Sequence, residues 1–155
     1  MITTAAPDFA AHFPNGGRMM GLDVGTKTIG VAFCDMNWSF ATPDKTIIRK
    51  KFSVDLEILK ALVAQHNIVG LVVGLPLNMD GTDSPRTQST RAFARNLAPL
   101  ALPLLLWDER WSTSSAEAAM IGQDMSRSKR AARIDSHAAA VILQGAIDTL
   151  AGGGF

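Results

Sequence analysis

The pattern of apolar and polar positions in the first part of the chain predicts a short antiparallel sheet. Residues 19–25 form an apolar run that ends at Gly25, and the β-rich residues 28–35 follow after two residues. Two such runs joined by so short a connection are typical of a hairpin. Residues 38–48 can supply a third strand, which Pro43 interrupts.

After these strands the apolar residues recur at helical spacing. This spacing predicts helices over about 53–66 and 86–98. Residues 68–75 and 104–107 are continuous apolar runs, as found in strands that are buried on both faces. A further helix is predicted from about Ser112.

The two ends of the chain have no regular period. Residues 1–17 contain Pro and Gly, so we expect a flexible N-terminal tail, and residues 152–155 form a Gly-rich end. A polar, basic and mobile loop is predicted over residues 122–133, followed by a last helix over about 134–150. One domain over residues 18–151 is long enough to bury a hydrophobic core.

This order of elements predicts an α/β fold. Three antiparallel strands followed by right-handed crossovers give a mixed five-stranded sheet with helices on both faces. Functional side chains in open α/β sheets gather at the carboxyl ends of the strands.

Composition excludes few classes of function. The 155 residues carry 15 basic and 14 acidic side chains, a formal net charge of +1 that neither requires nor excludes a nucleic-acid partner. Cys34 is the only cysteine, which excludes an intrachain disulfide and a cysteine-rich zinc site. No signal-peptide pattern and no apolar run of about 18 residues is present. We therefore expect a cytoplasmic protein without a membrane partner.

Four acidic residues lie inside or next to predicted strands and helices. Asp23 lies inside an apolar strand, where a carboxylate is costly unless it binds a cation or is paired, for example with backbone N–H groups of the next turn. Asp108 and Glu109 follow a buried strand, and each alone could be a solvated loop acid. Asp135 is predicted in the first turn of the last helix, where the helix dipole favours a carboxylate without any function.

Carboxylates that converge at one sheet edge would repel one another unless a divalent cation neutralised them. Mg²⁺ prefers oxygen ligands, and two such ions about 4 Å apart can stabilise both the attacking and the leaving oxygen of a phosphodiester. The periodicity does not choose between Asp108 and Glu109.

Four segments together resemble the YqgF/RuvX family of ribonuclease H-like nucleases. They are GLDVGTKTIGVA (21–32), VVGLPLNMDGT (72–82), DERWST (108–113) and IDSHAAAVIL (134–143). The resemblance implies a ribonuclease H-like fold and a metal-dependent endonuclease that uses Mg²⁺ or Mn²⁺. The substrate it implies is the 5′ end of the 16S ribosomal RNA precursor, a branched DNA such as a Holliday junction, or both. It leaves open whether the chain is a monomer or a weak homodimer.

The resemblance also implies catalytic and metal-binding roles for Asp23, Glu109 and Asp135, and so selects Glu109 over Asp108. Basic and polar residues near these acids are candidates for contact with nucleic acid. They are Lys27, Asn78, Arg110, Arg127, Lys129, Arg130 and Arg133. For each of them an ordinary turn, a surface ion pair or a solvated loop is the alternative.

Two other functions compete with a nuclease. The segment DVGTKTIGVA also resembles the phosphate loop of the actin and sugar-kinase fold, but that fold needs two such domains and this chain is too short for both. A non-catalytic nucleic-acid-binding module, like related domains that have lost the acids, is the second alternative. The presence of all three acids argues against it.

Overall fold

The computed structural model describes residues 1–111 and 127–152, and the side chains of residues 1–110 and 136–151. The strands, in chain order, are β1 (Ile2–Thr3), β2 (Met19–Val24), β3 (Thr28–Cys34), β4 (Ala41–Ile48), β5 (Gly70–Leu75) and β6 (Leu104–Asp108). The helices are α1 (Ala6–Ala10), α2 (Phe52–His66), α3 (Pro85–Asn96) and α4 (Arg127–Gly152). Two short 3₁₀ turns cover Ala98–Leu100 and Glu109–Trp111.

The six described strands form one mixed sheet in the order β1-β6-β5-β2-β3-β4. The pairs β1–β6, β6–β5 and β5–β2 are parallel, while β2–β3 and β3–β4 are antiparallel. The predicted α/β fold with three antiparallel strands and parallel crossovers is confirmed, with one strand more than the five expected. Pro43 lies in β4, an edge strand, where a residue without an N–H group is tolerated.

The sheet separates two apolar layers. One face packs residues such as Leu22 and Val73 against α2 and α3, and the other packs Met19 and Val72 against α4. Gly21 allows α4 to approach β2 closely, because a Cβ added there would lie 2.8 Å from the Cβ of Leu143. The carboxyl half of β2 is therefore held next to α4.

The N-terminal segment corrects the prediction of a flexible tail over residues 1–17. Phe9 and Phe13 are buried and their rings meet edge to face at 5.0 Å, while β1 adds a parallel strand to β6. A Cβ at Gly70 would lie 2.7 Å from the ring of Phe13, so the segment packs directly on β5. Helix α1 has only five residues, too few for a helical period to be visible in the sequence.

The last helix begins earlier than predicted. Helix α4 starts at Arg127, so residues 127–133 are helical and not a mobile loop, and Asp135 lies in the third turn instead of the first. Arg, Lys and Ala are strong helix formers, and the polar composition of this segment concealed that propensity. The helix predicted from Ser112 lies outside the described residues. None of the described helices is long and apolar enough to cross a membrane.

Candidate active site

The carboxyl ends of the parallel strands β2, β5 and β6 meet at one edge of the sheet, and two of the predicted acids lie there. Asp23 is the last but one residue of β2, and Glu109 directly follows β6. Gly74 lies on β5, between these two strands. Asp23 lies two residues after Gly21 on β2, so the two residues share a face of the sheet. This is the face that α4 covers.

The carboxyl groups of Asp23 and Glu109 lie close enough to share a hydrogen bond when one of them is protonated. Glu109 is only 8% exposed. Its side chain lies over Gly74, because a Cβ added there would be 2.9 Å from Cγ and 3.0 Å from Cδ of Glu109. The glycine thus leaves the space in which the two carboxyl groups meet.

This environment changes the protonation of Glu109. Burial, which disfavours the charged carboxylate, raises the pKa of Glu109 to about 7. The negative charge of Asp23 contributes to this increase, and the nearby guanidinium of Arg86 opposes it. Near neutral pH the metal-free pair therefore holds a proton that a bound cation would displace.

Arg86 is a member of this site that the sequence patterns did not identify. Its Nη2 lies 3.8 Å from Oδ1 of Asp23, and its side chain is 51% exposed while that of Asp23 is 15% exposed. Arg86 lies in the first turn of α3, which Ser84 caps by accepting a hydrogen bond from the backbone N–H of Thr87. The Ser84-Pro85 helix start, directly after the segment 72–82, was the available signal that Arg86 would lie near this edge.

Asp108 and Glu109 have different partners. Arg110 donates from Nη2 to Oδ2 of Asp108 at 2.6 Å, and from Nη1 to the carbonyl of Met79 at 3.1 Å. Arg110 therefore ties the end of β6 to the loop after β5. Glu109 instead lies against Asp23, close enough for the two carboxyl groups to share a hydrogen bond.

Two other candidates for nucleic-acid contact lie on exposed loops after β5 and β2. Asn78 donates from Nδ2 to the hydroxyl of Thr82 at 3.0 Å, and its backbone closes the turn with Gly81. Lys27 is exposed in the β2–β3 turn, where its carbonyl accepts the backbone N–H of Arg49.

The side chains of Asp135 and of the four basic residues at the start of α4 lie outside the described residues. The backbone of Asp135 lies one turn before Ala139, and the carbonyl oxygen of Ala139 is 3.0 Å from the Cβ position of Gly21 on β2. The roles of Asp135, Arg127, Lys129, Arg130 and Arg133 stay predictions.

The described part of the chain holds no group of three or more His, Cys, Asp or Glu residues that could bind a metal. The pair of Asp23 and Glu109 nevertheless suits a hard divalent cation. Both are oxygen ligands, they are close enough to share a hydrogen bond, and burial with mutual repulsion makes the fully ionised pair unfavourable without a positive charge.

Comparison with known sequences gives consistent matches over nearly the whole chain. A family model described as RuvX, Holliday junction resolvase, matches residues 17–149. A protein of Sphingopyxis alaskensis is 78% identical over 150 residues, covering 97% of this chain and 99% of the relative. A protein of Novosphingobium aromaticivorans is 61% identical over 155 residues, covering all of both chains. Both are named as pre-16S rRNA nucleases, an assignment that their names mark as provisional.

Among solved structures, RuvC of T. thermophilus in complex with a Holliday junction substrate has a similar fold. The TM-score is 0.53 at 10% identity, and the match covers 85% of this chain and 94% of the RuvC chain. A second Thermus thermophilus RuvC structure gives a TM-score of 0.51 at 10% identity, with 87% and 96% coverage. At this identity the similarity concerns the fold alone, and it confirms the predicted ribonuclease H-like class.

Proposed function

Because the chain belongs to the RuvX family of Holliday junction resolvases, we propose that Asp23 and Glu109 form the active site of a metal-dependent nuclease. The chain is a nuclease with the fold of RuvC. The observation that carries the proposed site is the contact between the two carboxyl groups at the carboxyl edge of the parallel strands.

The proposed ligands of the cation are the carboxylates of Asp23, Glu109 and Asp135. A divalent ion of this kind supplies an activated water and charge stabilisation for phosphodiester hydrolysis when it is bound. Glu109 would release its proton as the ion binds, and the absence of a side chain at Gly74 leaves the space for both carboxyl groups. Mg²⁺ or Mn²⁺ fits such an oxygen-ligand site.

The proposed substrate is the 5′ end of the 16S ribosomal RNA precursor. The names of the relatives that cover nearly the whole chain support this choice, and it agrees with the cytoplasmic location expected from the sequence. Branched DNA is the second candidate, because the RuvC chain of the same fold was solved with a Holliday junction. Symmetric cleavage of a junction would require two active sites and hence a homodimer.

The proposed nuclease domain spans residues 18–151, with the N-terminal segment packed on it. Lys27, Asn78 and Arg110 lie on the loops after β2, β5 and β6, and are proposed to contact the phosphate backbone. The basic start of α4 is proposed to contribute further phosphate contacts, by Arg127, Lys129, Arg130 and Arg133.

The proposal is tested by a cleavage panel. The substrates are an RNA covering the 5′ precursor end, an unrelated single-stranded RNA and a four-way DNA junction, each with Mg²⁺, Mn²⁺ or excess chelator. The wild type should cleave at least one substrate only with metal, and Asp23→Asn should not. Asp44→Asn, which changes an exposed acid on β4, is the matched control and should cleave normally.

Undiminished cleavage in chelator, or by Asp23→Asn, would refute the proposed site. Tight binding of these nucleic acids by the wild type without any cleavage would favour the non-catalytic module instead.

A further inference from the structure

A cavity next to the acidic pair is lined by two arginines and, among the described residues, by no acidic side chain. It has a volume of about 360 Å³ and lies between the β2–β3 turn, the end of β4 and the start of α3. Its polar lining includes Thr26, Arg49, Arg86 and Ser89. This volume is at the lower end of the range for small-ligand pockets, and it is larger than a simple anion needs.

Arg49 is held in place at the wall of this cavity. Its Nη1 donates to the carbonyl of Gly25 at 2.6 Å, and its guanidinium carbon lies 5.3 Å from the centre of the Phe93 ring. The turn and the aromatic ring thus fix the position of one positive charge before any ligand binds.

Arg86 connects the cavity to the acidic pair. Its guanidinium lies 3.8 Å from Asp23 and donates to the carbonyl of Val24 at 3.5 Å, while about half of its side chain is exposed. At 3.8 Å, and with the Arg86 side chain half exposed, this ion pair contributes little stability, so the guanidinium can turn towards a ligand at small cost.

We propose that this cavity binds a phosphodiester group of the nucleic-acid strand, next to the one held at Asp23 and Glu109, through the guanidinium groups of Arg49 and Arg86. Arg86 lines the cavity and also lies 3.8 Å from Asp23, so a strand lying across the acidic pair can continue into the cavity. Arginine matches phosphate oxygens with two parallel N–H donors. The cavity volume is larger than an anion alone needs, and a phosphate with its attached sugar would account for the additional space. This inference rests on the proposed nuclease function.

The test measures whether the effect of replacing one arginine depends on the charge of one phosphate of the RNA. Binding is measured for a short single-stranded RNA of the 16S precursor 5′ end, in the full chain carrying Glu109→Gln to prevent cleavage. Single methylphosphonate substitutions remove the charge of one phosphate at a time. They are combined with Arg86→Gln and with Arg49→Gln, and double-mutant cycles give the coupling at each position.

Arg86→Gln should weaken binding of the unmodified RNA roughly tenfold. It should lower the log–log salt slope by about 0.7, the value for one phosphate of a single strand. One methylphosphonate position, adjacent to the cleavage position, should have no further effect in this variant. Arg49→Gln should show coupling at that same position, and its folding is checked by thermal melting because Arg49 also contacts Gly25 and Phe93.

Arg95→Gln is the matched control, because it removes the same charge from the same helix. Arg95 lies nine residues after Arg86, roughly 13 Å along the helix axis. It should show no coupling to any phosphate of the RNA.

The outcomes separate this inference from the proposed function. Additive effects at every phosphate, in a protein whose wild type cleaves the RNA, would overturn the cavity assignment alone. If the cavity binds a free nucleoside monophosphate but shows no coupling to a strand phosphate, the assignment to the strand is wrong. A wild type that neither binds nor cleaves the RNA or the DNA junction would overturn both proposals.

Discussion

The side chain of Glu109 occupies the space that any residue other than glycine would fill at position 74. A Cβ at Gly74 would come within 2.9 Å of Cγ of Glu109 and within 2.5 Å of Cδ1 of Ile142. Both neighbours are side chains, which can move. The contact between Glu109 and Asp23 therefore depends on the absence of one methyl group on the strand between them.

Gly74→Ala should displace the carboxyl group of Glu109 from Asp23. We expect a large loss of cleavage with a destabilisation of about 1 to 3 kcal/mol, as for other overpacked interiors. Gly145→Ala is the control, because its added methyl group would meet the Trp107 ring at 3.2 Å or more. Cleavage rates and urea melts of both variants check this, and a fully active Gly74→Ala would show that the Glu109–Asp23 contact is not needed.

Because the pKa of Glu109 is raised in the folded protein, the stability of the metal-free protein should decrease as the pH rises. Between about pH 4.5 and 7 the folded metal-free protein retains a proton that the unfolded chain has lost. Its free energy of unfolding should therefore fall as the pH rises through this interval, by an amount on the order of 1 to 3 kcal/mol. Glu109→Gln should remove this contribution.

Urea unfolding at pH 5 and pH 8 in chelator measures the effect. Glu57→Gln, which changes an exposed acid of α2, should keep the dependence of the wild type. The same dependence in wild type and Glu109→Gln would contradict the shifted pKa of Glu109.

Metal binding should also depend on pH, because the cation competes with the proton of Glu109. Below about pH 7 the affinity for Mn²⁺ should decrease by up to about tenfold per pH unit, and one proton should be released on binding. Calorimetric titrations in buffers with different ionisation enthalpies count that proton. Binding without proton release at pH 6 would exclude Glu109 as a ligand.

Neutralising Asp23 should not destabilise the metal-free protein at pH 8. Asp23→Asn removes the repulsion with Glu109, and the ion pair that it loses with the half-exposed Arg86 is weak. Its melting temperature in chelator should be at or above that of the wild type, although cleavage is abolished. Melting far below the wild type would indicate that Asp23 is a structural acid.

The basic start of α4 should contribute to nucleic-acid affinity. Replacing Arg127, Lys129, Arg130 and Arg133 with Ala retains the helix propensity of this segment. The log–log salt slope should fall by about 0.7 to 0.9 for each phosphate that the variant no longer neutralises. The control is Lys45→Ala, which removes a positive charge on β4. The basic residues 49–51 are not suitable as a control, because Arg49 lines the proposed cavity. An unchanged slope in the fourfold variant would show that this segment is only solvated.

Sequence patterns predict the parts of this fold that repeat over many residues. Helix α2 is expected over 53–66 and ends at His66, followed by the cap residue Asn67 in a left-handed conformation with φ of 55°. The hairpin that presents Asp23 is likewise visible in the sequence. In contrast, β1 and α1 have two and five residues, so neither is long enough to show a period.

The residues of the candidate site can be predicted only in part from the sequence, for a different reason. Asp108 and Glu109 are adjacent, and no local pattern shows which of them meets Asp23; the family resemblance supplies that choice. Arg49 and Arg86 come from the end of β4 and from α3, and approach the β2–β3 turn only after the sheet has formed. Such a juxtaposition depends on tertiary packing, which hydrophobic periodicity does not report.

The most direct test of the central claim compares two neighbouring acids. Single-turnover cleavage of the preferred substrate in Mg²⁺ is measured for the wild type, Glu109→Gln and Asp108→Asn. The carboxyl group of Glu109 lies within hydrogen-bonding reach of Asp23, whereas Asp108 is paired with Arg110 at 2.6 Å. We predict that Glu109→Gln forms no product and that Asp108→Asn cleaves within about tenfold of the wild-type rate, a barrier difference of about 1.4 kcal/mol. Wild-type cleavage by Glu109→Gln would contradict the assignment of the active site.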